Sequence, residues 1–237
     1  LYHWQSHNIT DADWSQDKRI FWTSGTPGEP DVLGRRLEDG PYSLERGMQA
    51  PHCFKVGDRF YFFHNNVGCF CLSSPDGDDE TFKMQPRYDG DRKFFDMGRD
   101  VSFLDNRSRD GYWYAYYTVN ESVANGKPGV DARRAKDILG PWSDPLPCRI
   151  RGFFESPFVL FHAGRYYIFQ PCVVWASADP LNFDSTFLTV LTDEDGGQRA
   201  AIEVVQDEDG QHYVAGYGGP GGGIWVAKLN WRAATHP

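Results

Sequence analysis

Three acidic residues stand at the openings of apolar, strand-like segments, where a core strand would carry no charge. Asp100 opens GRDVSF, Glu155 opens FESPF, and Glu203 lies in AIEVV. Carboxyl groups that face one another can cleave a glycosidic bond: one protonates the leaving oxygen, and a second activates water or attacks the sugar. A third can orient the sugar and shift the pKa of the acid through its charge. These three residues are therefore candidates for a hydrolytic site.

The sequence neighbours of Glu155 and Asp100 indicate different roles for the two carboxyl groups. We expect nearby phenylalanines to desolvate Glu155 and raise its pKa, as a proton donor requires. These phenylalanines are Phe153, Phe154 and Phe158. Arg99 precedes Asp100, and an adjacent cation favours the ionised form that a stabilising group needs. The alternative is that each acid is a solvated residue at a strand edge.

The elements that must position these acids are β-hairpins that repeat along the chain. Four segments share a small or polar opening, an apolar alternation, a turn rich in Gly or Asp, and an aromatic strand. They begin at Gln49, Gly98, Phe153 and Ala200. A third strand follows each hairpin, and the spacing of roughly 50 residues is typical of propeller blades. We expect aromatic runs such as YWYAYY to form core between blades.

The repeat predicts an all-β fold, a single five-bladed β-propeller whose first blade is irregular or incomplete. The predicted blades are residues 1–47, 48–95, 96–150, 151–196 and 197–237. In a propeller the first strand of each blade lines the central channel, so residues far apart in sequence meet in one funnel. The alignment of the hairpins places Asp100, Glu155 and Glu203 at equivalent blade positions.

Other residues are predicted to line the same funnel. Blade one offers Asp11 and Asp13, which share a face of a strand through Ile9. Phe154, Trp14 and Trp175 are candidates to stack on sugar rings, although Trp175 can equally pack beneath the next blade. The predicted substrate-binding residues are Arg99, Glu203, Gln49, His52, Phe154 and Trp175.

Composition narrows the function classes and partners. The 237-residue chain has a net charge of −9, which disfavours nucleic acid as a partner. No segment approaches the ~18 apolar residues of a membrane helix, so no membrane partner is expected. The five cysteines have no zinc-site spacing, and we expect reduced, buried thiols, which favours a cytoplasmic location. No signal peptide is visible, and a start at Leu1 rather than Met is compatible with an upstream segment.

The motifs resemble those of the five-bladed β-propeller glycoside hydrolases, in the clans around families 43, 32, 68 and 62. GRDVS is similar to their Asp motif, FESPF to their Glu-Ser-Pro motif, and Ala50-Pro51 to the Ala-Pro that opens the second blade. The resemblance covers about residues 48–230. It implies that Glu155 is the general acid and that Asp100 is the transition-state stabiliser or pKa modulator.

The sequence departs from this family pattern in three places. Val101 stands where Pro is usual, and Ile202-Glu203 stands where many family 43 enzymes carry a channel histidine near calcium or water. We therefore predict no metal site and no cofactor; a structural calcium has no support in the sequence. No Asp-Pro occurs in the first 47 residues, and Asp11 and Asp13 are the candidates to replace it as base or nucleophile.

A second interpretation of the N-terminus changes the functional expectation. LYHWQSHN resembles the segment that ends the third strand of blade one in fructan-type enzymes, which would put the nucleophile strand upstream. We expect a glycoside hydrolase that cleaves furanosidic or pentosidic bonds of arabinose, xylose or fructose units in an oligo- or polysaccharide. The alternative is a truncated or non-catalytic carbohydrate-binding propeller.

Overall fold

The fold consists of β-strands and one four-residue helix over the part of the chain that the structure, a computed structural model, describes. The described residues are 4–5, 15–16, 49–65, 68–78, 81–91, 93–95, 98–150, 155–171, 173–183, 187–190, 199–218 and 223–231. The helix, α1 (Arg107–Asp110), lies in a turn between two strands. Within these ranges no helix has the length and apolar character needed to cross a membrane.

The strands form four larger antiparallel sheets, which follow a small pair near the N-terminus. The small pair joins β1 (Trp4–Gln5) and β2 (Ser15–Gln16). Blade 2 contains β3 (Gln49–Val56), β4 (Arg59–Asn65), β5 (Cys69–Ser74), β6 (Lys83–Met84) and β7 (Lys93–Phe95). Blade 3 contains β8 (Arg99–Asp105), β9 (Trp113–Val119), β10 (Gly129–Ala135) and β11 (Leu146–Pro147).

Two further blades complete the described sheets. Blade 4 contains β13 (Phe158–His162), β14 (Arg165–Gln170), β15 (Val173–Ser177) and β17 (Phe187–Val190). Blade 5 contains β18 (Arg199–Gln206), β19 (His212–Gly218) and β20 (Ile224–Leu229). A parallel pair joins β12 (Arg149–Ile150), which precedes blade 4 in sequence, to β16 (Asn182–Phe183), which lies between β15 and β17. The four predicted hairpins are confirmed as the antiparallel pairs β3–β4, β8–β9, β13–β14 and β18–β19.

Alternation along an aromatic strand explains how neighbouring blades pack. In β9, Trp113, Ala115 and Tyr117 point into a core shared with blade 2. Tyr114 and Tyr116 point to the other face, into a core shared with blade 4. Successive side chains of a strand point to opposite faces, so a strand between two blades is apolar throughout. This confirms that the YWYAYY run is core between blades.

A third core joins blades 4 and 5, so the four sheets pack face to face in chain order. It contains Phe169 and Val174 from blade 4 and Ile202 and Val214 from blade 5. The innermost strands follow the same order, with β8 against β3 and β13, and β13 against β18. This is the arrangement of propeller blades around an axis. The predicted first blade lies outside the described residues except for β1 and β2.

Most of the described cysteines lie in these cores. Cys69 and Cys71 share one face of β5 and are buried, and Cys148 is also buried. None of the four described cysteines forms a disulfide, but Cys53 is exposed. The prediction of buried thiols is therefore confirmed for three cysteines and wrong for Cys53, whose strand β3 turns one face away from blade 3. Cys172 lies outside the described residues.

Candidate active site

A cavity of about 340 Å³ lies where the innermost strands of blades 2 to 5 converge. Each of these strands, or the segment that leads into it, contributes a triplet of residues to the wall. The triplets are 50–52, 100–102, 156–158 and 201–203, and the wall is completed by 215–217 and Ile224. The volume is near the lower end of the range of about 300–1,000 Å³ that is typical of small-molecule sites.

The first residue of every triplet has a left-handed backbone conformation. The φ angles are 44° at Ala50, 57° at Asp100, 56° at Ser156 and 48° at Ala201. In three of the strands the residue sits in a register shift, between Gln49 and His52, Arg99 and Ser102, or Ala200 and Glu203. Non-glycine residues seldom adopt positive φ, and β-bulges re-aim side chains beside functional sites. The left-handed residue therefore marks all four strand openings at the cavity, and a β-bulge accompanies it in three of them.

The bulges correct the predicted equivalence of the three acids. Asp100 occupies the left-handed position, whereas Glu155 precedes the left-handed Ser156 and Glu203 follows the left-handed Ala201 by two residues. The prediction that the acids occupy equivalent blade positions is wrong, because the three acids stand at different distances along the chain from the left-handed residue of their own segment. Asp100 and Glu203 line the cavity, while Glu155 stands at its mouth.

Arg99 joins the two carboxyl groups at the mouth of the cavity. Its Nη2 atom lies 3.1 Å from Glu155 Oε2, and its Nε atom lies 3.8 Å from Asp100 Oδ2. Nη1 donates a 3.0 Å hydrogen bond to Asn120 Oδ1, which orients the guanidinium group. Arg99 was predicted to bind substrate; in the structure it connects the carboxyl groups of adjacent blades.

The buried hydroxyl of Thr118 forms a second connection between the same blades. It accepts a 3.0 Å hydrogen bond from the Ser156 N–H and donates one of 3.4 Å to Asp100 Oδ2. Thr118 lies on β9 opposite Arg99, and its side chain is fully buried. Because Ser156 follows Glu155, this hydroxyl fixes the backbone beside one acid relative to the carboxylate of the other.

The pKa of Asp100 is raised, chiefly by burial and then by the charge of Glu155. Hydrogen bonds from Ser156 and Thr118 and the charge of Arg99 act in the opposite direction without reversing the shift. Arg99 therefore favours the ionised form of Asp100 as expected, but burial and the charge of Glu155 outweigh it. Only 22% of the Asp100 side chain is exposed, and water solvates its charge poorly.

Glu155 is not desolvated as predicted. Its side chain is 55% exposed because the residue lies in a bend before β13 begins. Phe158, one of the phenylalanines expected to cover it, instead lines the cavity and stacks on the His52 ring with centroids 5.8 Å apart. Phe153 and Phe154 lie outside the described residues.

Glu203 and His52 also line the cavity. Burial raises the pKa of Glu203 to about 7 and lowers the pKa of His52 to about 4. The Glu203 residue is exposed at the cavity wall, and desolvation of its carboxyl group by the surrounding protein is the cause of the raised pKa. The wall of the cavity therefore carries a neutral imidazole ring near neutral pH, beside a carboxyl group that holds its proton more tightly than a free one.

The other predicted site residues have different outcomes. Trp175 is paired with Ile168 in the middle of β15 and is buried between blades 3 and 4, so its prediction as a sugar-stacking residue is wrong. The backbone of Gln49 pairs with Asn65, but its side chain lies outside the described part. Asp11, Asp13, Trp14 and Phe154 also lie outside it. Within the described residues no cluster of three potential metal ligands occurs, and the absence of a cofactor stays a prediction.

Sequence reasoning missed Thr118 and Asn120, which hold the two acids together. A local signal does exist for Thr118, because it is the first polar residue after the aromatic run of β9. Tyr217 and Ile224 were also missed; they form an exposed apolar rim of the cavity on blade 5.

Comparison with solved structures identifies proteins of the same architecture. A thermostable family-43 glycoside hydrolase superposes with a TM-score of 0.66 at 17% identity, over 98% of this chain and 82% of that one. The fold is that of the GH43 propellers. This confirms the prediction of an all-β, five-bladed β-propeller. Neither protein-family models nor curated proteins gave a match to the sequence.

Two longer structures show the same fold over part of their length. The xylan β-1,4-xylosidase from Bacillus halodurans C-125 has a TM-score of 0.62 and 14% identity, over 92% of this chain and 46% of that one. The GH43 protein BlXynB from Bacillus licheniformis has a TM-score of 0.56 and 15% identity, over 76% of this chain and 39% of that one. The chain thus spans less than half the length of either protein.

Proposed function

We propose that this protein is a glycoside hydrolase that cleaves pentosidic or furanosidic bonds, in which Glu155 is the general acid and Asp100 the stabilising carboxylate. The observation that carries the proposal is the pair of carboxyl groups from adjacent blades, joined through Arg99 at the mouth of a sugar-sized cavity. Glycoside hydrolysis needs a general acid and a base or nucleophile on either side of the scissile bond, and Glu155 is proposed as the first of these. A third carboxyl group such as Asp100 can stabilise the transition state and shift the pKa of the acid. The fold shared with a xylan β-1,4-xylosidase supports xylose-containing substrates, and arabinose and fructose units remain in the proposal.

The positions of the two acids support different catalytic roles for them. Glu155 is open to solvent at the rim, where a leaving group departs and a proton must be replaced after each turnover. Asp100 lies further in, held by Thr118 and Arg99, where a fixed negative charge stabilises an oxocarbenium-like sugar. The base or nucleophile of this reaction is proposed to be Asp11 or Asp13 of the first blade.

Sugar release from defined polymers tests the proposal. Wild type, Glu155→Gln and the control Glu121→Gln, an exposed acid outside the cavity wall, are incubated with arabinan, arabinoxylan, xylo-oligosaccharides and inulin. We expect release from at least one polymer by wild type and the control, and a loss of about 10²–10⁴-fold in Glu155→Gln, as for removal of a general acid. Equal release by all three proteins would contradict the assignment of Glu155.

The second candidate function is carbohydrate binding without turnover. One observation favours it: the Glu155 carboxylate is engaged by Arg99 rather than enclosed in apolar surroundings. A folded protein that binds one of the polymers and releases no sugar from any of them would support this candidate over the hydrolase.

A further inference from the structure

We propose that a second cavity, here called the side cavity, binds an acidic sugar unit such as glucuronic acid, whose carboxylate group pairs with Arg149 and Lys127. The side cavity lies between blades 3 and 4, and none of its lining residues lines the central cavity. The proposal rests on the proposed function for the kind of polymer that carries the acidic unit, but its test does not require turnover. It narrows the substrate class to polymers with uronic acid branches.

The side cavity lies at the same end of the propeller as the mouth of the central cavity. One part of its wall is the loop 120–128 between β9 and β10, which begins at Asn120, the residue that accepts a hydrogen bond from Arg99 at the mouth. Another part is Gln170, the last residue of β14, at the end of blade 4 where Phe158 begins β13. A branched polymer held at the mouth can therefore extend a branch towards the side cavity.

Two cationic side chains from separate segments line the side cavity, Lys127 in the loop and Arg149 on β12. In the described part of the chain no carboxylate group lies within ion-pair distance of either. Asp131, the buried acid on β10, instead accepts hydrogen bonds from the Ser122 hydroxyl and the Val123 N–H. A cleft lined by charges of one sign attracts a ligand of the opposite sign. The planar guanidinium group of arginine matches the two oxygens of a carboxylate.

The rest of the wall suits a sugar ring rather than a bare inorganic anion. Asn125 and Gln170 contribute amide groups, which donate hydrogen bonds to hydroxyls and accept them. Pro128 and Ile150 add apolar surface against which the C–H face of a ring can pack. The volume of about 560 Å³ lies within the range of about 300–1,000 Å³ that is typical of small-molecule sites. Cations, amides and apolar surface together favour a sugar that bears a carboxylate.

Titration of the whole chain with glucuronic acid and with glucose at pH 7, followed by NMR, tests the proposal. The two sugars differ in the carboxylate alone, and wild type should bind glucuronic acid about 10-fold more tightly or better, as expected for charge-assisted hydrogen bonds. Arg149→Gln and Lys127→Gln should each weaken the binding of glucuronic acid by about 10-fold and leave that of glucose unchanged. Arg149→Lys, which keeps the charge, should lose less than Arg149→Gln. The control Arg165→Gln, at the exposed start of β14, should behave as wild type.

Inorganic sulfate, titrated at the same ionic strength, distinguishes a sugar site from a general anion site. Sulfate should bind about 10-fold more weakly than glucuronic acid, because it cannot use the amide and apolar parts of the wall. The proposal is overturned if glucuronic acid does not bind, if glucose or sulfate binds as tightly, or if either Arg149→Gln or Lys127→Gln keeps the wild-type affinity for glucuronic acid.

The two proposals fail separately in these experiments. Glucuronic acid binding through Arg149 and Lys127, in a protein that releases no sugar from any polymer, would overturn the hydrolase proposal alone. Sugar release by a protein that does not distinguish glucuronic acid from glucose would overturn the role of the side cavity alone. In the active enzyme, Arg149→Gln should raise KM for a xylo-oligosaccharide with a glucuronic acid branch by about 10-fold and leave KM for the linear one unchanged.

Discussion

The substitution Thr118→Val removes the hydroxyl that connects the two acids while it preserves the shape of the side chain. The Ser156 N–H then loses its 3.0 Å acceptor, and Asp100 loses a longer donor at 3.4 Å. An unsatisfied, partly buried donor costs about 1–3 kcal/mol, and the longer bond contributes less. For a chain of this size a loss of about 2 kcal/mol corresponds to a fall in Tm of about 4–8 °C.

The effect on activity should exceed the effect expected from stability alone. The Thr118 hydroxyl lowers the pKa of Asp100, so its removal raises that pKa further. If ionised Asp100 is required, the acidic limb of the kcat/KM profile moves to higher pH. Displacement of the backbone beside Glu155 should lower kcat by about 10-fold or more, since a 1 Å misplacement can cost about 10².

Thr118→Ser is the matched control for this experiment. It retains the hydroxyl and loses one methyl group, at a cost of about 0.8 kcal/mol. Thermal unfolding and pH–rate profiles should therefore place Thr118→Ser close to wild type. The reasoning is refuted if Thr118→Val keeps the wild-type kcat and acidic limb, or if Thr118→Ser loses both as fully as Thr118→Val does.

Three further predictions follow from the same region. Arg99→Met should change Tm little, because exposed ion pairs contribute about 0–1 kcal/mol to stability. It should move the acidic limb of the kcat/KM profile to higher pH, because loss of the Arg99 charge raises the pKa of Asp100, and an unmoved limb would contradict this role. Gly98→Ala should lower the free energy of unfolding in urea by more than about 2 kcal/mol, because a Cβ would collide with the Tyr117 ring and the φ of 102° disfavours a side chain. The control Gly57→Ala, which has open space at its Cβ, should cost about 1 kcal/mol. The folded state binds the Glu203 proton more tightly than the unfolded state, so stability falls as pH rises from about 4.5 to about 7. The Tm of Glu203→Gln should therefore rise relative to the Tm of wild type over this pH range, and a constant difference in Tm would contradict the raised pKa.

The blade architecture could be predicted because it depends on local sequence patterns. Period-two alternation, glycine-rich turns and aromatic strands recur at blade spacing, and the run around Tyr116 requires burial on both faces. The convergence of Asp100, His52 and Glu203 on one cavity follows from the rule that the first strand of each blade lines the channel. These parts of the fold need no knowledge of contacts between distant residues.

The details of the site could not be predicted because they depend on backbone geometry without a local signal. Ala50, Asp100 and Ala201 adopt positive φ although none is glycine, so the sequence has no signal for the bulges. The three acids were therefore aligned at positions that are not equivalent in the structure. Phe158 packs against His52 rather than over Glu155, in a contact between blades 2 and 4. Such contacts are set by how sheets pack and not by the order of neighbouring residues.

The most direct test of the central claim compares leaving groups. A natural xylo-oligosaccharide needs a proton from Glu155 as its glycosidic bond breaks, whereas a dinitrophenyl pentoside has a leaving group that departs without one. The account predicts that Glu155→Gln loses about 10²–10⁴-fold in kcat on the oligosaccharide but far less on the dinitrophenyl pentoside, while Asp100→Asn loses similarly on both. Equal losses of Glu155→Gln on the two substrates, or no loss on either, would contradict the assignment of Glu155 as the general acid.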